Sequence, residues 1–349
     1  MRLLIAASGT GGHLFPALAV AQRLPQAEIN WLGVPNRLEQ TLVPQTYPLH
    51  LIPIEGFQQR FSLKTLRIFW QQMRSIWQVK KLLKTLQIEA VFTTGGYIAA
   101  PAILAAKLQG IPVILHESNA IPGKVTRLLA PLCHTVAIGF QNTARFLPPA
   151  KTRWVSTPVR DSFLTPQSLD FPIPPEAPLI VVMGGSQGAV ALNRFVRLCA
   201  ESWLKAGAYI VHLTGEQDPD VESFQHPHYF PRPFYNNMAG LLQRANLAIS
   251  RAGAGTLTEL AVTQTPAILI PYPYAAEDHQ YYNAIAFEET GAAQVYRQKD
   301  LTPEHLEQQV LDLLKTPQQL TQMAQQAAQL AVLDSAEQLV QLLTSLQSP

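Results

Sequence analysis

Sulfur chemistry is almost absent from this chain. Its two cysteines, Cys133 and Cys199, stand far apart among 349 residues, with no CxxC pair and no metal-like spacing. That argues against a disulfide scaffold and a thiolate metal centre, and both read as buried thiols of a reducing compartment. Long apolar runs are missing too. No stretch reaches ~18 uninterrupted apolar residues, so no membrane-spanning helix is expected. The opening run Met1–Ala7 is too short for a secretory leader and enters a glycine-rich loop at once, so it reads as a first buried strand. Net charge is only +2, and no broad aromatic-interleaved basic face of the kind that grips nucleic acid is present. One segment lacks acids altogether. From Phe57 to Ile88 there is no Asp or Glu, while Arg60, Lys64, Arg67, Arg74, Lys80, Lys81 and Lys84 all fall there.

What is present is a repeated α/β pattern. Leu3–Ala7, Val91–Thr93, Val113–Leu115 and Val136–Ile138 are continuous apolar runs. So are Leu179–Met183, Tyr209–Leu213, Leu247–Ser250 and Ala267–Ile270. Continuous rather than alternating runs suit parallel strands covered on both faces, and helical patterns lie between them. Six prolines between 158 and 178 interrupt any regular element and suggest a linker. The expected organisation is a first doubly wound domain over 1–157, a linker over 158–178, a second domain over 179–331 and a last helix over 332–349 that packs back on the first domain. Thr302-Pro303 predicts an N-cap with proline in the first helical position.

Four glycine loops follow predicted strands: Gly9-Thr-Gly-Gly-His, Gly95-Gly96, Gly184-Gly-Ser-Gln-Gly, and Gly253 with Gly255. A glycine loop entering a helix aims backbone N–H groups and the positive end of the helix dipole at one spot, which suits a diphosphate. A nicotinamide fingerprint is incomplete, because the third glycine is absent and His13 stands where the helix begins. A charged imidazole there would face the positive dipole end, so the neutral ring is expected. It could act as a general base or merely cap the helix. Thr256-Leu-Thr-Glu259 reads either as a capping box or as a carboxylate for ribose hydroxyls. Arg160 and Arg251 are candidate phosphate ligands or plain surface arginines. Asp218-Pro-Asp220 has DxD spacing, but it lies in a polar turn and, like His226 and His228, reads as solvated. No metal set is expected.

Together these pieces resemble the MurG family of glycosyltransferases over nearly the whole chain. The matching runs are Gly9-Thr-Gly-Gly-His-Leu-Phe-Pro, Gly95-Gly-Tyr, His116-Glu-Ser-Asn, Thr157-Pro-Val-Arg, Gly184-Gly-Ser-Gln-Gly-Ala, Arg251-Ala-Gly-Ala-Gly-Thr-Leu-Thr-Glu and Glu277-Asp-His-Gln-Tyr-Tyr-Asn-Ala. The resemblance implies a GT-B fold, with two Rossmann-like parallel-sheet domains facing a cleft. It implies inverting transfer of N-acetylglucosamine from UDP-N-acetylglucosamine to the C4 hydroxyl of lipid I, giving lipid II for peptidoglycan, at the cytoplasmic face of the plasma membrane. His13 is then the base. Thr10, Gly11, Gly12, Asn119, Arg160, Ser186 and Arg251 lie on the donor side, with Ala254, Gly255, Thr256, Leu257, Thr258 and Glu259 at the ribose and sugar. Gln280 contacts the sugar, and the backbone of Tyr235 reads the uracil. No cofactor or metal is implied. Two departures stand out. Leu213-Thr-Gly-Glu-Gln lacks the family's lysine, and Gly56-Phe-Gln-Gln-Arg lacks an arginine at the family's position. A UDP-sugar epimerase and a non-catalytic UDP-sugar binder are the rival readings.

The acid-free segment adds a membrane expectation. Arg60, Arg67, Arg74 and Lys81 recur every seven residues, and Leu66, Phe69, Trp70, Met73, Ile76 and Trp77 form an apolar face at helical spacing. Bases with aromatics suit an interfacial helix on an anionic membrane surface, through Arg60–Lys84. The alternative is a helix whose apolar face packs on the sheet.

Overall fold

The computed structural model describes residues 1–43, 45–54, 63–185 and 188–346, with the backbone alone over 63–69. The chain divides into two units: Met1–Arg160 with the segment from Asp334 onward, and Asp161–Leu333. In the first unit lie β1 (Arg2–Ala6), β2 (Glu28–Gly33), β3 (Leu49–Leu51), β4 (Ala90–Thr93), β5 (Val113–Glu117), β6 (Thr135–Ile138) and β7 (Thr152–Trp154). They form one sheet in the order β3-β2-β1-β4-β5-β6-β7. In the second lie β8 (Leu179–Met183), β9 (Tyr209–Leu213), β10 (Tyr229–Arg232), β11 (Leu247–Ser250), β12 (Ala267–Leu269) and β13 (Ala293–Val295), ordered β10-β9-β8-β11-β12-β13. Every neighbouring pair is parallel.

The continuous apolar runs have the cause expected of them. In β1, Leu4 and Ala6 face one core, shared with Val79 and Leu83 of the helix Leu63–Thr85 and Ala102 and Ala106 of the helix Ala99–Lys107. Leu3 and Ile5 face the opposite core, shared with Leu14, Ala17 and Leu18 of the helix Gly11–Gln22. Successive side chains alternate in direction, so a strand covered on both sides must be apolar at every position. Leu339 and Leu343 of the last helix, Ser335–Ser345, join that second core. Burying each is worth about 1.5–3 kcal/mol.

Eight strands coincide with the expected runs, and five do not. Four of the five, β3, β7, β10 and β13, are the sheet edges. They have three or four residues and are incompletely buried, so their apolar signal is weak. The fifth, β2, begins with Glu28 and buries Asn30, whose Oδ1 lies 3.0 Å from His50 Nε2. The proline-rich segment is also more tightly held than a linker. Its residues from Asp161 onward belong to the second unit. Arg244 donates to the carbonyls of Pro174 and Ala177, Asn237 to that of Ser168, and the Tyr235 hydroxyl bonds the Asp170 carboxylate. Thr302 caps the helix Pro303–Lys315, accepting from His305 N at 3.2 Å.

Candidate active site

The strand order decides where chemistry can sit. In each sheet the chain winds outward in both directions from one central pair, β1 with β4 and β8 with β11. Beyond the carboxyl ends of such a pair the flanking loops part, and that is where ligands of open α/β sheets bind. The four glycine loops of the sequence follow β1, β4, β8 and β11. The fold therefore gathers them two by two at its two switch points.

At the first switch point His13 joins the loops. Its Nδ1 lies 2.7 Å from the carbonyl oxygen of Thr94. A carbonyl can only accept, so Nδ1 carries a proton, and in the neutral ring the lone pair stands on Nε2. A side chain at Gly96, where φ is +73°, would begin 3.7 Å from Nε2, so glycine keeps that nitrogen open. Thr10 is the N-cap of the helix and makes no side-chain cap bond. Gly11 and Gly12 open its first turn, where N–H groups lack intrahelical partners, and His13 N closes it onto the Thr10 carbonyl at 3.1 Å. Phe15 packs on Gly11, and the Arg160 guanidinium stacks 4.6 Å from the Phe15 ring centroid. Asn119 is aimed by Glu117, whose Oε1 accepts both its backbone N–H and its Nδ2 at 3.1 Å. Oε2 of Glu117 takes Gly123 N at 3.1 Å and Thr126 Oγ1 at 2.7 Å. Below them His116 is buried and donates to the Ser156 carbonyl at 2.9 Å. Burial, more than any neighbouring charge, lowers its basicity.

At the second switch point the helix Ala254–Val262 begins after Gly253, with no side-chain cap. Thr256 is therefore its third residue rather than its cap, and the capping-box reading fails. The N–H groups of Ala254, Gly255 and Thr256 open this helix. Leu257 and Thr258 turn inward: Leu257 is wholly buried, and Thr258 Oγ1 donates to the Ala254 carbonyl at 3.0 Å. Thr256 and Glu259 stay partly exposed, one turn apart on the same face. Gln280 Oε1 accepts from the backbone of Ala252 and Tyr272, at 3.2 and 3.0 Å, and so ties the glycine loop to the strand end. Tyr235 follows β10, with its ring 5.2 Å from that of Phe171. Ser186 lies outside the described residues.

Two expectations need correction. Arg251 is buried, and its guanidinium donates to the carbonyls of Ile270 and Pro271 and to Gln298 Oε1 at 2.6 Å. It braces the end of β12 and is therefore not a plain surface arginine. Asp218 is not a solvated turn residue. It is 8% exposed, paired with Arg197 and bonded to Asn193 Nδ2 at 3.0 Å, while Asp220 pairs with Arg194. Asn193 also donates to the Thr214 carbonyl at 2.8 Å and meets His212 Nε2 at 3.0 Å, and His212 Nδ1 meets the Tyr229 hydroxyl at 2.7 Å. Burial drives His212 down to about 3. The network supports Thr214, against which Gly188 packs so closely that a Cβ there would stand 2.5 Å from its carbonyl. Both cysteines are buried, which pushes their thiols up to about 12. Asn193 and His212 were not singled out from the sequence, and His116 and Glu117 stood there only inside a matching run, without a role; an acid, amide or imidazole at or beside the end of an apolar run is the signal they left.

Residues 3–138 match the N-terminal domain of glycosyltransferase family 28, and residues 179–339 match its C-terminal domain. A UDP-N-acetylglucosamine–N-acetylmuramyl-(pentapeptide) pyrophosphoryl-undecaprenol N-acetylglucosamine transferase from Microcystis aeruginosa is 68% identical, over 98% of this chain and 96% of its own. One from Synechocystis is 66% identical, over 97% of this chain and 96% of its own. The crystal structure of Acinetobacter baumannii MurG superposes with a TM-score of 0.81 at 33% identity, covering 99% of both chains. A UDP-GlcNAc 2-epimerase from Neisseria meningitidis reaches a TM-score of 0.71 at 14% identity, which shows a shared fold and no more. With two Rossmann-like parallel sheets, both family 28 domains and relatives this close over full length, the chain is a GT-B protein and belongs to the MurG family of N-acetylglucosamine transferases.

Proposed function

We propose that this chain transfers N-acetylglucosamine from UDP-N-acetylglucosamine to the C4 hydroxyl of lipid I, with inversion, as a step of peptidoglycan synthesis. The observation that carries the mechanism is His13. Its Nδ1–H is committed to Thr94, and its Nε2 lone pair stands beside two glycine loops. In this reading Nε2 takes the proton of the acceptor hydroxyl as that oxygen attacks the anomeric carbon. The bond from that carbon to UDP breaks at the same time. Charge growing on the departing diphosphate is met by the first-turn N–H groups of Ala254, Gly255 and Thr256, whose preorganised dipoles need no rearrangement. Glu259 takes the ribose hydroxyls, Gln280 the sugar, and the Tyr235 backbone the uracil. Thr10, Gly11, Gly12, Asn119 and Arg160 complete the donor contacts, with Ser186. No metal has a task in this scheme, and Asp218 and Asp220 are already held by arginines.

Incubation with UDP-N-acetylglucosamine and a short-chain lipid I analogue tests it. Product gaining one N-acetylhexosamine, with equimolar UDP release that survives a chelator, is expected. Epimerised sugar nucleotide without transfer would overturn the reading.

We also infer peripheral attachment to an anionic membrane, at the cytoplasmic face where the acceptor's diphosphate is found. Among the described residues no helix is long and apolar enough to cross a bilayer. The support is the helix Leu63–Thr85. Its inner side buries Ser75, Val79 and Leu83, with Ile76 packed partly against the core. Trp70, Met73, Arg74, Trp77, Lys81 and Lys84 are exposed at spacings of three and four, which is one helix face. The single apolar face expected from the sequence is thus divided, with Ile76 inward and the tryptophans outward. Arg60 lies outside the described residues.

A further inference from the structure

We propose that Glu39 is a positioning residue for proton transfer, holding the Ser8–Gly9 turn so that the following helix presents His13 correctly. This rests on His13 being the base. Glu39 is wholly buried at the start of a one-turn helix, Glu39–Leu42. Its carboxylate gathers three uncharged donors. Oε1 accepts from the Ser8 hydroxyl and, at 2.7 Å, from Val34 N; Oε2 accepts from Gly9 N at 3.2 Å. Glycine at 33 makes room for it, since a Cβ there would stand 2.7 Å from Glu39 Cγ. A buried carboxylate is costly to desolvate, and an apolar side chain would fill the space at less cost. The charge is explained by a directional task.

That task is visible in the chain leaving the turn. Gly9, at φ +106°, points its N–H inward to Glu39 and not toward a ligand. The next residue, Thr10, offers the carbonyl that receives His13 N at 3.1 Å and Leu14 N at 3.2 Å. Glu39 thus fixes the turn, the turn fixes the first helical hydrogen bonds, and these carry His13, whose ring needs its 2.7 Å bond to Thr94. Nothing in the arrangement brings Glu39 itself to a reacting atom.

The experiment compares Glu39→Gln, Ser8→Ala and His13→Ala in the full chain, with UDP-N-acetylglucosamine and a soluble lipid I analogue. In Glu39→Gln an amide N–H must face the Gly9 or Val34 N–H, so one tether is lost while shape is kept. We expect kcat to fall roughly 10–100-fold, as misplacement of a catalytic group does, with KM for the sugar nucleotide and UDP affinity unchanged. Unchanged kcat in the folded variant would overturn the proposal, as would a loss expressed only through raised KM. Should Glu39→Gln fail to fold, Ser8→Ala decides, because it removes one donor and keeps the carboxylate on Gly9. Lowered kcat at constant KM upholds the proposal, and unchanged kcat overturns it. If His13→Ala keeps its turnover, the base assignment falls. If His13→Ala loses turnover and Glu39→Gln does not, only the Glu39 inference falls.

Discussion

Reversing the charge of the outward face of Leu63–Thr85 should release the protein from anionic membranes. Arg74, Lys80, Lys81 and Lys84 lie on or beside that face, and Lys80 rests over the Trp77 ring at 4.8 Å. Each base near an anionic leaflet is worth about 1 kcal/mol, so four give roughly 4 kcal/mol, or about a thousandfold in partitioning. Trp70 and Trp77 are 68% and 63% exposed. With roughly 200 Å² per tryptophan side chain, about 130 Å² of each is open, worth at most about 3 kcal/mol apiece and about 6 kcal/mol together at ~25 cal/mol per Å² if wholly buried in lipid. Charge and aromatic terms are thus of similar size, and they can be separated. Arg74→Glu with Lys81→Glu removes two attractions and adds two repulsions, about 4 kcal/mol in all. Trp70→Ser with Trp77→Ser removes the apolar term alone. Co-sedimentation with anionic and neutral vesicles, at about 0.1 and 1 M salt, where the screening length shrinks from ~10 to ~3 Å, reads both. The native chain should bind anionic vesicles at low salt and leave them at high salt. The reversed variant should lose that binding and keep its activity on a soluble acceptor. A native chain that ignores anionic vesicles at low salt would refute the reasoning, and the tryptophans would then need another partner.

Three further outcomes follow from the site. His13→Ala should cost about 10²–10⁴ in kcat while UDP binding, measured by calorimetry, persists; unchanged turnover at saturating substrates would make His13 a structural residue. Glu259→Ala should weaken UDP binding by about 1.5–3 kcal/mol; normal affinity for UDP in the folded variant, measured by calorimetry, would contradict the ribose assignment. His212 and His116 are held uncharged in the folded chain but take a proton near pH 6.5 once unfolded, so the unfolded chain binds more protons below that pH. Stability should therefore fall as pH drops from about 6.5 toward 3, with His212 alone contributing a loss of about 2 kcal/mol by pH 5. Melting curves that stay flat between pH 7 and 5 would show that these rings are not buried in the neutral form.

The class of fold and the parts of the site are legible in local residue patterns. Continuous apolar runs mean strands covered on both faces, and the glycine loops after them mark helix starts able to meet a diphosphate. Those signals are local, carried within a dozen residues, so Leu3–Ala7 and Gly9–His13 could be read without a partner. Edge strands such as β3 and β13 escaped because half-exposed residues need not be apolar. What each polar side chain does came from the tertiary structure. It paired the loops at the switch points, aligned His13 through Thr94, and set Arg251 against the end of β12. It turned Asp218 inward to Arg197 and brought Glu39 under Gly9 across 30 residues of chain. A hydrogen bond between residues far apart in sequence depends on where the sheet places two strand ends, and no local pattern of residues encodes that distance.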